Sequence, residues 1–420
     1  MHVAIISFGY PPLRHVSATR PSYFAELLSR RGHRVTVVTV DWRQPSDPAP
    51  RPREPGAPEV IAVDPRAWFP GFDPERLPLS TEPPAPTPAI LRRAETLRRT
   101  LRWGPFPSWA RAGLAALLAR HRRYAVDVVW AIHGDDSSHE IAYRFRRRTG
   151  VPWVADYKDP WDLYHRPGLP VLAQRLATER RLRSAAALTE TCKAQADSDA
   201  ARFRLPTHVI WSGYDADLMA RVAPARPSPR FSLAYLGSLG PQHDIDAVGR
   251  LLRALRALPG APLELELHVF GKDPKPLRER LTAAGVADML HARPPVPLEG
   301  AYALMKGADA LLLLPATHFV PSGGSIGVKE LEYLGSGTPV LALGALLPEL
   351  AQVARGCPQL FEAQRPEEGA RFLCEEAEAR RDGRPSPRRA ATNLPSVRRN
   401  SWATKVAELE RVLEGVASPR

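Results

Sequence analysis

The first forty residues alternate between short apolar segments and a helical segment, and this order constrains the fold strongly. Residues 2–8 (HVAIISF) predict a buried strand, PSYFAELLSRRGH has helical periodicity that ends at Gly32, and Arg34–Val40 (RVTVVTV) predicts the next strand. Two consecutive strands joined by a helix usually lie parallel, with the helix covering one face of the sheet. The opening therefore predicts an α/β domain with a parallel sheet.

The same alternation begins again in the second half of the chain. A strand is predicted at Phe231–Leu236 (FSLAYL), and the loop GSLGPQHD and the helical segment DAVGRLLRAL follow it. A length of 420 residues is enough for two such domains with separate cores. We therefore predict two doubly wound α/β units. Further strands are predicted at 60–63, 126–131, 152–156, 187–189, 208–211, 264–270, 310–314 and 339–343.

Composition indicates a cytoplasmic protein that binds anions. Cys192, Cys357 and Cys374 lie far apart, which argues against a disulfide framework. No apolar run approaches the roughly 20 residues of a membrane span, and the N-terminus lacks the basic segment of a signal peptide. The net charge of +13 favours anionic partners such as phosphorylated ligands, acidic lipid surfaces or nucleic acid.

Residues 43–123 interrupt the first predicted domain. The first part, 43–90, is rich in proline and charge and predicts a largely irregular excursion, whereas 91–123 is helical and very basic. Trp103, Phe106 and Trp109 interrupt the arginines of the basic part, so one reading is a peripheral contact with an anionic membrane surface. The other reading is a solvated helical pair whose aromatics pack on the domain. No nucleic-acid-binding motif accompanies it.

The stretch 322–341 (SGGSIGVKELEYLGSGTPVL) suggests a nucleotide or nucleotide-sugar site. Gly323 and Gly324 permit a close approach of the backbone to a ligand, and Ser325 is placed to cap the following helix. A helix N-terminus after a glycine turn attracts anions, and Glu332 lies further along the same helix, where it can reach hydroxyls beside the anion. The alternative is a packing turn with Glu332 as a solvated residue.

Five segments, in order, resemble the GT-B glycosyltransferases, and specifically the retaining, bacterial group 1 (family-4-type) enzymes. The likeness covers nearly the whole chain except residues 43–123. The segments are SFGYPPLRHVSATR with the following helix and strand, GVPWVADYKDPWDLY, IWSGYDADL, LAYLGSLG and VKELEYLGSGTPVLAL.

The resemblance implies a GT-B fold, in which two Rossmann-like doubly wound domains face a cleft. Residues 1–213 would be the acceptor domain and 214–398 the nucleotide-sugar donor domain. Residues 399–420 would form a C-terminal helix packing back near the first domain. The implied activity is transfer of a sugar, of the hexosyltransferase type, from a nucleotide-diphosphate-sugar, with use in polysaccharide or glycoconjugate biosynthesis.

The resemblance also implies a donor site in the second domain. Glu332 would accept hydrogen bonds from ribose hydroxyls. The family's paired glutamate falls at Gly324, and many relatives carry an arginine at the position of Ser238. The diphosphate would then be held by another set of groups in this chain. That set is Gly237, Ser238, Gly323, Gly324, Ser325 and Lys329, with Arg14 and Arg20 from the loop after the first strand.

A general base for the acceptor is sought among residues that follow predicted strands. Asp159 is favoured for a role as base or in acceptor positioning, His133 is the second candidate because histidine titrates near neutrality, and His139 and Asp135 are further ones. Each is equally a capping or turn residue. In a retaining enzyme the leaving phosphate can take the proton, so no protein base is required.

Three functions remain open. The first is a glycosyltransferase that needs no metal and no cofactor beyond its nucleotide-sugar, acting on a saccharide, lipid-linked or small-molecule acceptor. The chain carries no Asp-x-Asp metal signature, and Asp135-Asp136 is a weak substitute. The second is a nucleotide-sugar epimerase or a phosphorylase of the same fold. The third is a non-catalytic binding or scaffold protein. Lys329, likewise, is either a phosphate ligand or a solvated helix lysine.

Overall fold

A computed structural model gives the structure in two compact units. Unit 1 comprises Met1–Ile210 together with Val406–Arg420, and unit 2 comprises Trp211–Lys405. Only the backbone is described for residues 107 and 169–174. The structure describes residues 1–13, 15–43, 56–64, 106–134, 136–158, 169–239, 243–259, 264–271, 274–315 and 326–417.

Unit 1 is built on a parallel sheet in which β1 and β4 lie side by side at the centre. The strand order is β3-β2-β1-β4-β5-β6-β7. All five residues of β1 are buried, as expected for a strand covered on both faces by helices. Parallel pairing aligns His2 with Arg34 and Val3 with Val128. The strands are β1 His2–Ile6, β2 Arg34–Val40, β3 Glu59–Val63, β4 Val128–Ile132, β5 Trp153–Tyr157, β6 Ala187–Glu190 and β7 Thr207–Val209.

Helices connect these strands and bury apolar side chains against the sheet. One cluster of buried residues, including Phe8, Trp109, Phe145 and Trp153, joins α2 and α3 to the sheet. The helices are α1 Val16–Arg30, α2 Pro107–Arg123, α3 Asp136–Thr149, α4 Leu169–Leu182 and α5 Lys193–Phe203.

Unit 2 contains a second parallel sheet, in the order β10-β9-β8-β11-β12-β13. Strand order reverses between β8 and β11, because β9 and β10 extend to one side of β8 and β12 and β13 to the other. Ligands of doubly wound sheets bind at such a reversal, outside the carboxyl ends of the strands. The strands are β8 Phe231–Leu236, β9 Leu265–Phe270, β10 Leu290–Arg293, β11 Ala310–Leu313, β12 Val340–Leu343 and β13 Leu360–Ala363.

Buried clusters cover both faces of the second sheet. One contains Leu251, Leu281 and Phe372, and the other contains Tyr302 and Tyr333. A 3-10 turn at Ala287–Met289 precedes β10. The helices are α6 Ala216–Arg221, α7 Ile245–Ala257, α8 Lys275–Ala283, α9 Leu298–Gly307, α10 Val328–Ser336, α11 Pro348–Ala354, α12 Pro366–Arg381, α13 Pro395–Arg398 and α14 Trp402–Val416.

The alternating α/β pattern predicted from sequence is confirmed in both units. The strands expected at Arg34–Val40 and Phe231–Leu236 have the predicted bounds. Two strands, β10 and β13, were missed; both are four-residue edge strands with mostly part-exposed side chains. None of the helices in the described ranges combines the length and apolar character that crossing a bilayer requires.

Candidate functional site

The candidate site lies at the strand-order reversal of unit 2, where β8 ends and α10 begins. Gly237 and Ser238 come directly after β8, and Lys329 and Glu332 lie in the first turns of α10. The structure therefore brings together four of the residues predicted to bind the donor. Gly323, Gly324 and Ser325 lie outside the described residues.

Gly237 has a backbone conformation that favours glycine and lies where the ends of β8 and β9 nearly touch. Its φ is +127° and its N–H donates to the Phe270 carbonyl at 2.9 Å. A Cβ on neighbouring Gly271 would come within 2.3 Å of the Gly237 carbonyl oxygen. A Cβ on Gly237 itself would lie 3.7 Å from Lys329 Cδ. The turn thus presents main chain directly beside the lysine side chain.

Lys329 is held beside this turn by an aromatic ring. Its Nζ donates to the Tyr235 hydroxyl at 2.9 Å and lies 4.3 Å from the ring centroid. The Tyr235 hydroxyl in turn donates to the Ser238 carbonyl at 3.2 Å. These contacts fix a half-buried ammonium group next to Gly237 and Ser238, where it can neutralise an anionic ligand.

Glu332 is a partly buried carboxyl group with a raised pKa. Burial raises the pKa to about 8, and the nearby Glu330 carboxylate also raises it. The Tyr302 hydroxyl, which donates to Glu332 Oε1 at 3.2 Å, and the Lys329 ammonium oppose this shift. Glu332 consequently changes charge close to neutral pH, and ligand hydroxyls that donate to it would favour the ionised form.

The amino end of α10 differs from the prediction. The residue at the N-cap position is Gly327, and no side chain among the described residues caps this helix. Ser325, the predicted cap, lies outside the described residues. A Cβ on Gly327 would come within 2.3 Å of Glu330 Oε2, which means that the Glu330 carboxylate folds back onto the helix start. A carboxylate there is stabilised by the positive end of the helix dipole.

Arg20, which was predicted to contact phosphate, forms an ion pair in the interior of unit 1. Its Nη2 donates to Asp156 Oδ1 at 2.7 Å and its Nε to Oδ2 at 3.1 Å, and both side chains are almost fully buried. Thr189 Oγ1 also donates to Asp156 Oδ1 at 2.7 Å. This ion pair joins α1 to β5. Arg14 lies outside the described residues.

His133 follows β4 in unit 1 and has an acidic partner. Its Nε2 lies 3.4 Å from Asp136 Oδ1, and its ring centroid lies 4.7 Å from that of Tyr157. The Asp136 carboxyl is buried, which raises its pKa, but the His133 hydrogen bond and the Arg181 guanidinium outweigh burial and lower it. His133 is thus positioned like a base with an orienting carboxylate. Asp135 and Asp159 lie outside the described residues.

His139 belongs to the core. It is 1% exposed and its Nε2 donates to the Ala131 carbonyl at 3.0 Å. Burial and the neighbouring His133 lower its pKa to about 3, so the ring is neutral at physiological pH. A neutral, buried ring with its Nε2 hydrogen committed to the backbone indicates a structural residue.

Sequence reasoning missed a buried charge cluster beneath His133. Arg181 Nε donates to Glu140 Oε2 at 2.7 Å, and Arg181 Nη1 lies 3.6 Å from Asp136 Oδ1. All three side chains are buried, so the arginine offsets two carboxylates in a region of low dielectric. The spacing of Asp136 and Glu140 puts both carboxylates on one face of α3, and that spacing was the available signal.

Among the described residues, His33, Glu410 and Glu414 form a group of potential metal ligands in unit 1, with ligand atoms within 4.8 Å of one another. The Glu410 carboxylate already accepts from Arg31 Nε at 2.8 Å and lies 2.6 Å from His33 Nε2. These contacts account for the group as an ion-pair cluster that joins α14 to the end of α1.

Comparisons with known proteins identify the fold. No family model and no curated protein matches the sequence. Sucrose-phosphate synthase from Thermosynechococcus elongatus superposes with a TM-score of 0.65 and 16% identity, over 99% of this chain and 98% of that chain. Anabaena HepE in complex with UDP-glucose superposes with a TM-score of 0.60 and 16% identity, over 99% and 100%. A glycosyltransferase from Rickettsia africae gives 0.63 and 10%, over 100% and 99%. With its two parallel, Rossmann-like sheets, this chain has the GT-B fold of these glycosyltransferases.

Proposed function

We propose that this protein is a glycosyltransferase that takes a sugar from a nucleoside-diphosphate sugar bound to unit 2. The observation that carries the proposal is the grouping of Gly237, Lys329 and Glu332 at the strand-order reversal of the second sheet. The main chain of the glycine turn and the Lys329 ammonium group suit the diphosphate of a nucleotide, and the Glu332 carboxyl group suits its ribose hydroxyls. The similar HepE structure contains UDP-glucose, which supports this class of ligand.

Each group has a chemical task in the proposed reaction. The bond between the anomeric carbon and the diphosphate oxygen breaks, and negative charge develops on the leaving phosphate. The Lys329 ammonium and the main-chain N–H of Ser238 stabilise that charge, and no metal is required for this. Glu332 accepts hydrogen bonds from the ribose hydroxyls. Gly323, Gly324 and Ser325 remain proposed contributors of N–H groups, since the sequence alone supports them.

The acceptor is a saccharide, a lipid-linked sugar or a small molecule with a reactive hydroxyl. The acceptor's proton goes to the leaving phosphate if transfer retains configuration, as the sequence resemblance suggests. His133, with Asp136 as its orienting carboxylate, is the alternative proton acceptor on unit 1. Asp159 stays a candidate from sequence.

A nucleotide panel tests the donor site. Thermal stability is measured with UDP, GDP, dTDP and ADP and their sugar conjugates, for wild type, Glu332→Ala and the control Glu279→Ala, an exposed glutamate on α8. We expect one nucleotide family to stabilise wild type and the control but not Glu332→Ala. Slow release of nucleoside diphosphate from the sugar conjugate without acceptor would support catalysis. No stabilisation at millimolar ligand would favour a non-catalytic scaffold.

A peripheral membrane contact is a second part of the proposal, carried by exposed arginines on three neighbouring helices of unit 1. They would meet the phosphates of anionic lipids from the cytoplasmic side. Binding to vesicles of phosphatidylglycerol, lost at high salt and absent for phosphatidylcholine, would support it. Salt-independent or absent binding contradicts it. The residues are Arg111, Arg122, Arg123, Arg147, Arg148 and Arg180.

A further inference from the structure

Tyr302 connects the proposed ribose-binding carboxyl group to the first turn of unit 2. It lies on α9, and its side chain is fully buried. Its hydroxyl oxygen accepts from the Asp215 N–H at 3.2 Å, and the hydroxyl donates to Glu332 Oε1 at 3.2 Å. Asp215 is the N-cap of α6, and its own carboxylate accepts from the Leu218 N–H at 2.9 Å. One phenol therefore touches two elements that are distant in sequence.

The hydrogen bond from the Asp215 N–H determines the direction in which the Tyr302 hydroxyl donates. A tyrosine hydroxyl has one hydrogen to donate, and an N–H can only approach the oxygen's lone pairs. With the Asp215 N–H on the acceptor side, the hydroxyl hydrogen is available for Glu332. A donor of this kind stabilises the ionised form of a carboxyl group. The tyrosine is thus oriented by main chain rather than by a side chain that could rotate.

Among the described residues, the charged groups that shift the pKa of Glu332 come from its own helix. Glu330 opposes ionisation of Glu332, and Lys329 favours it. Lys329, however, donates a hydrogen bond to Tyr235, and the Asp215 carboxylate accepts from the Leu218 N–H of its own helix. The Glu332 carboxylate also raises the pKa of Tyr333, but the Tyr333 hydroxyl accepts from the Leu236 N–H. Tyr302 is consequently the group from α9 that bonds the Glu332 carboxyl directly.

We propose that Tyr302 is a positioning residue of the nucleotide site, which favours the ionised form of Glu332 and aims its carboxyl group at the ribose hydroxyls of a nucleoside diphosphate. This inference rests on the proposed function of the site. The Asp215 backbone orients Tyr302, Tyr302 orients Glu332, and Glu332 meets the ligand. The tyrosine itself does not contact the nucleotide in this arrangement.

The variant Tyr302→Phe tests the inference through the titration of Glu332. The Glu332 carboxyl is followed by NMR in the unliganded protein from pH 5 to 10, and UDP affinity is measured over the same range. Loss of one hydrogen bond to a charged group should raise the titration midpoint by about one pH unit. UDP affinity should fall about tenfold at pH 7, because the ionised fraction of Glu332 falls about tenfold there, and should recover at high pH, where Glu332 is ionised in both proteins.

Two further proteins sharpen the test. Tyr214→Phe is the matched control, since Tyr214 is also fully buried and its hydroxyl donates to Asn393 Oδ1 rather than to Glu332. It should leave the midpoint unchanged. Incorporation of 3-fluorotyrosine at position 302 keeps both hydrogen bonds and makes the donor more acidic, so the midpoint should move down. This second variant decides the question if Tyr302→Phe does not fold.

The outcomes separate the two proposals. If wild type binds UDP and the midpoint does not move in either Tyr302 variant, Tyr302 has only a packing role and the inference is overturned. If the affinity of Tyr302→Phe falls equally at every pH, the inference is likewise overturned. If wild type binds no nucleoside diphosphate at any pH, the proposed function fails, and with it the role assigned to Tyr302.

Discussion

Arg20 and Asp156 form a two-point ion pair in the interior of unit 1, with side-chain exposures of 4% and 0%. The arginine also lies 4.9 Å from the centroid of the Phe24 ring and 5.6 Å from that of Trp130. Removal of either charge would leave the other buried without the opposite charge of this pair.

Asp156→Asn should therefore lower the free energy of unfolding by about 3–5 kcal/mol, the usual cost of breaking a buried pair. Urea unfolding measures the change. The control is Asp288→Asn, whose partner Arg256 is exposed, and which should cost less than about 1 kcal/mol. Equal costs at the two sites would contradict a structural role for Arg20.

Lys329→Met should weaken binding of nucleoside diphosphates without affecting nucleosides. The methionine keeps most of the apolar stem beside Gly237 but lacks the ammonium group that would meet the diphosphate. We expect a loss of about tenfold or more in UDP affinity, since a hydrogen bond to a charged group is worth about 1.5–3 kcal/mol. Calorimetry with UDP and with uridine measures the difference. Equal losses for both ligands would assign Lys329 to packing.

Gly271→Ala should disturb the turn of the candidate site. The new methyl group would meet the Gly237 carbonyl oxygen at 2.3 Å, so the ends of β8 and β9 must separate. We expect a loss of at least about 1 kcal/mol of stability and weaker nucleotide binding. Gly415→Ala is the control, because it lies in α14 with no atom within 4 Å of the added Cβ. Alanine there should stabilise the helix by up to about 1 kcal/mol.

The Glu332 carboxyl should make stability fall as pH rises. Its pKa is raised to about 8 in the folded protein, so between about pH 4.5 and pH 8 the folded state keeps a proton that the unfolded state has released. The stabilisation that this carboxyl group contributes is fully present below about pH 4.5 and is lost as the pH rises to about 8. Glu332→Gln removes the effect and should be more stable than wild type at pH 9, by about 2 kcal/mol after discounting for partial exposure. Thermal unfolding at pH 5 and pH 9 tests this; a constant difference between the two proteins would contradict it.

The fold could be predicted from sequence periodicity because the central strands are short apolar runs between amphipathic helices. β1 and β8 are buried throughout, so each is a continuous apolar run that is recognisable in the sequence. The edge strands β10 and β13 have only four residues each and little apolar pattern. Position along the chain also led to Gly237, Lys329 and Glu332, since residues after β8 and at the start of α10 must meet at one edge of the sheet.

Contacts between segments that are distant along the chain could not be predicted from the sequence. Arg20 looked like a phosphate ligand because it follows the first strand, but its partner Asp156 is 136 residues away. Tyr302 carried no motif, and its bonds to Asp215 and Glu332 depend on how three helices pack. The cap at Gly327 likewise depends on where the backbone first turns helical, which glycine-rich sequence leaves open.

The division of unit 1 into two pieces of chain sets an order of events during synthesis. The stretch Trp211–Lys405 is continuous, so unit 2 can close as soon as its own residues leave the ribosome. Unit 1 is complete only once the segment that begins at Val406 has been made. Until then Arg31 and His33 lack the Glu410 carboxylate that later joins them. The part of the protein made first is therefore the last to be finished.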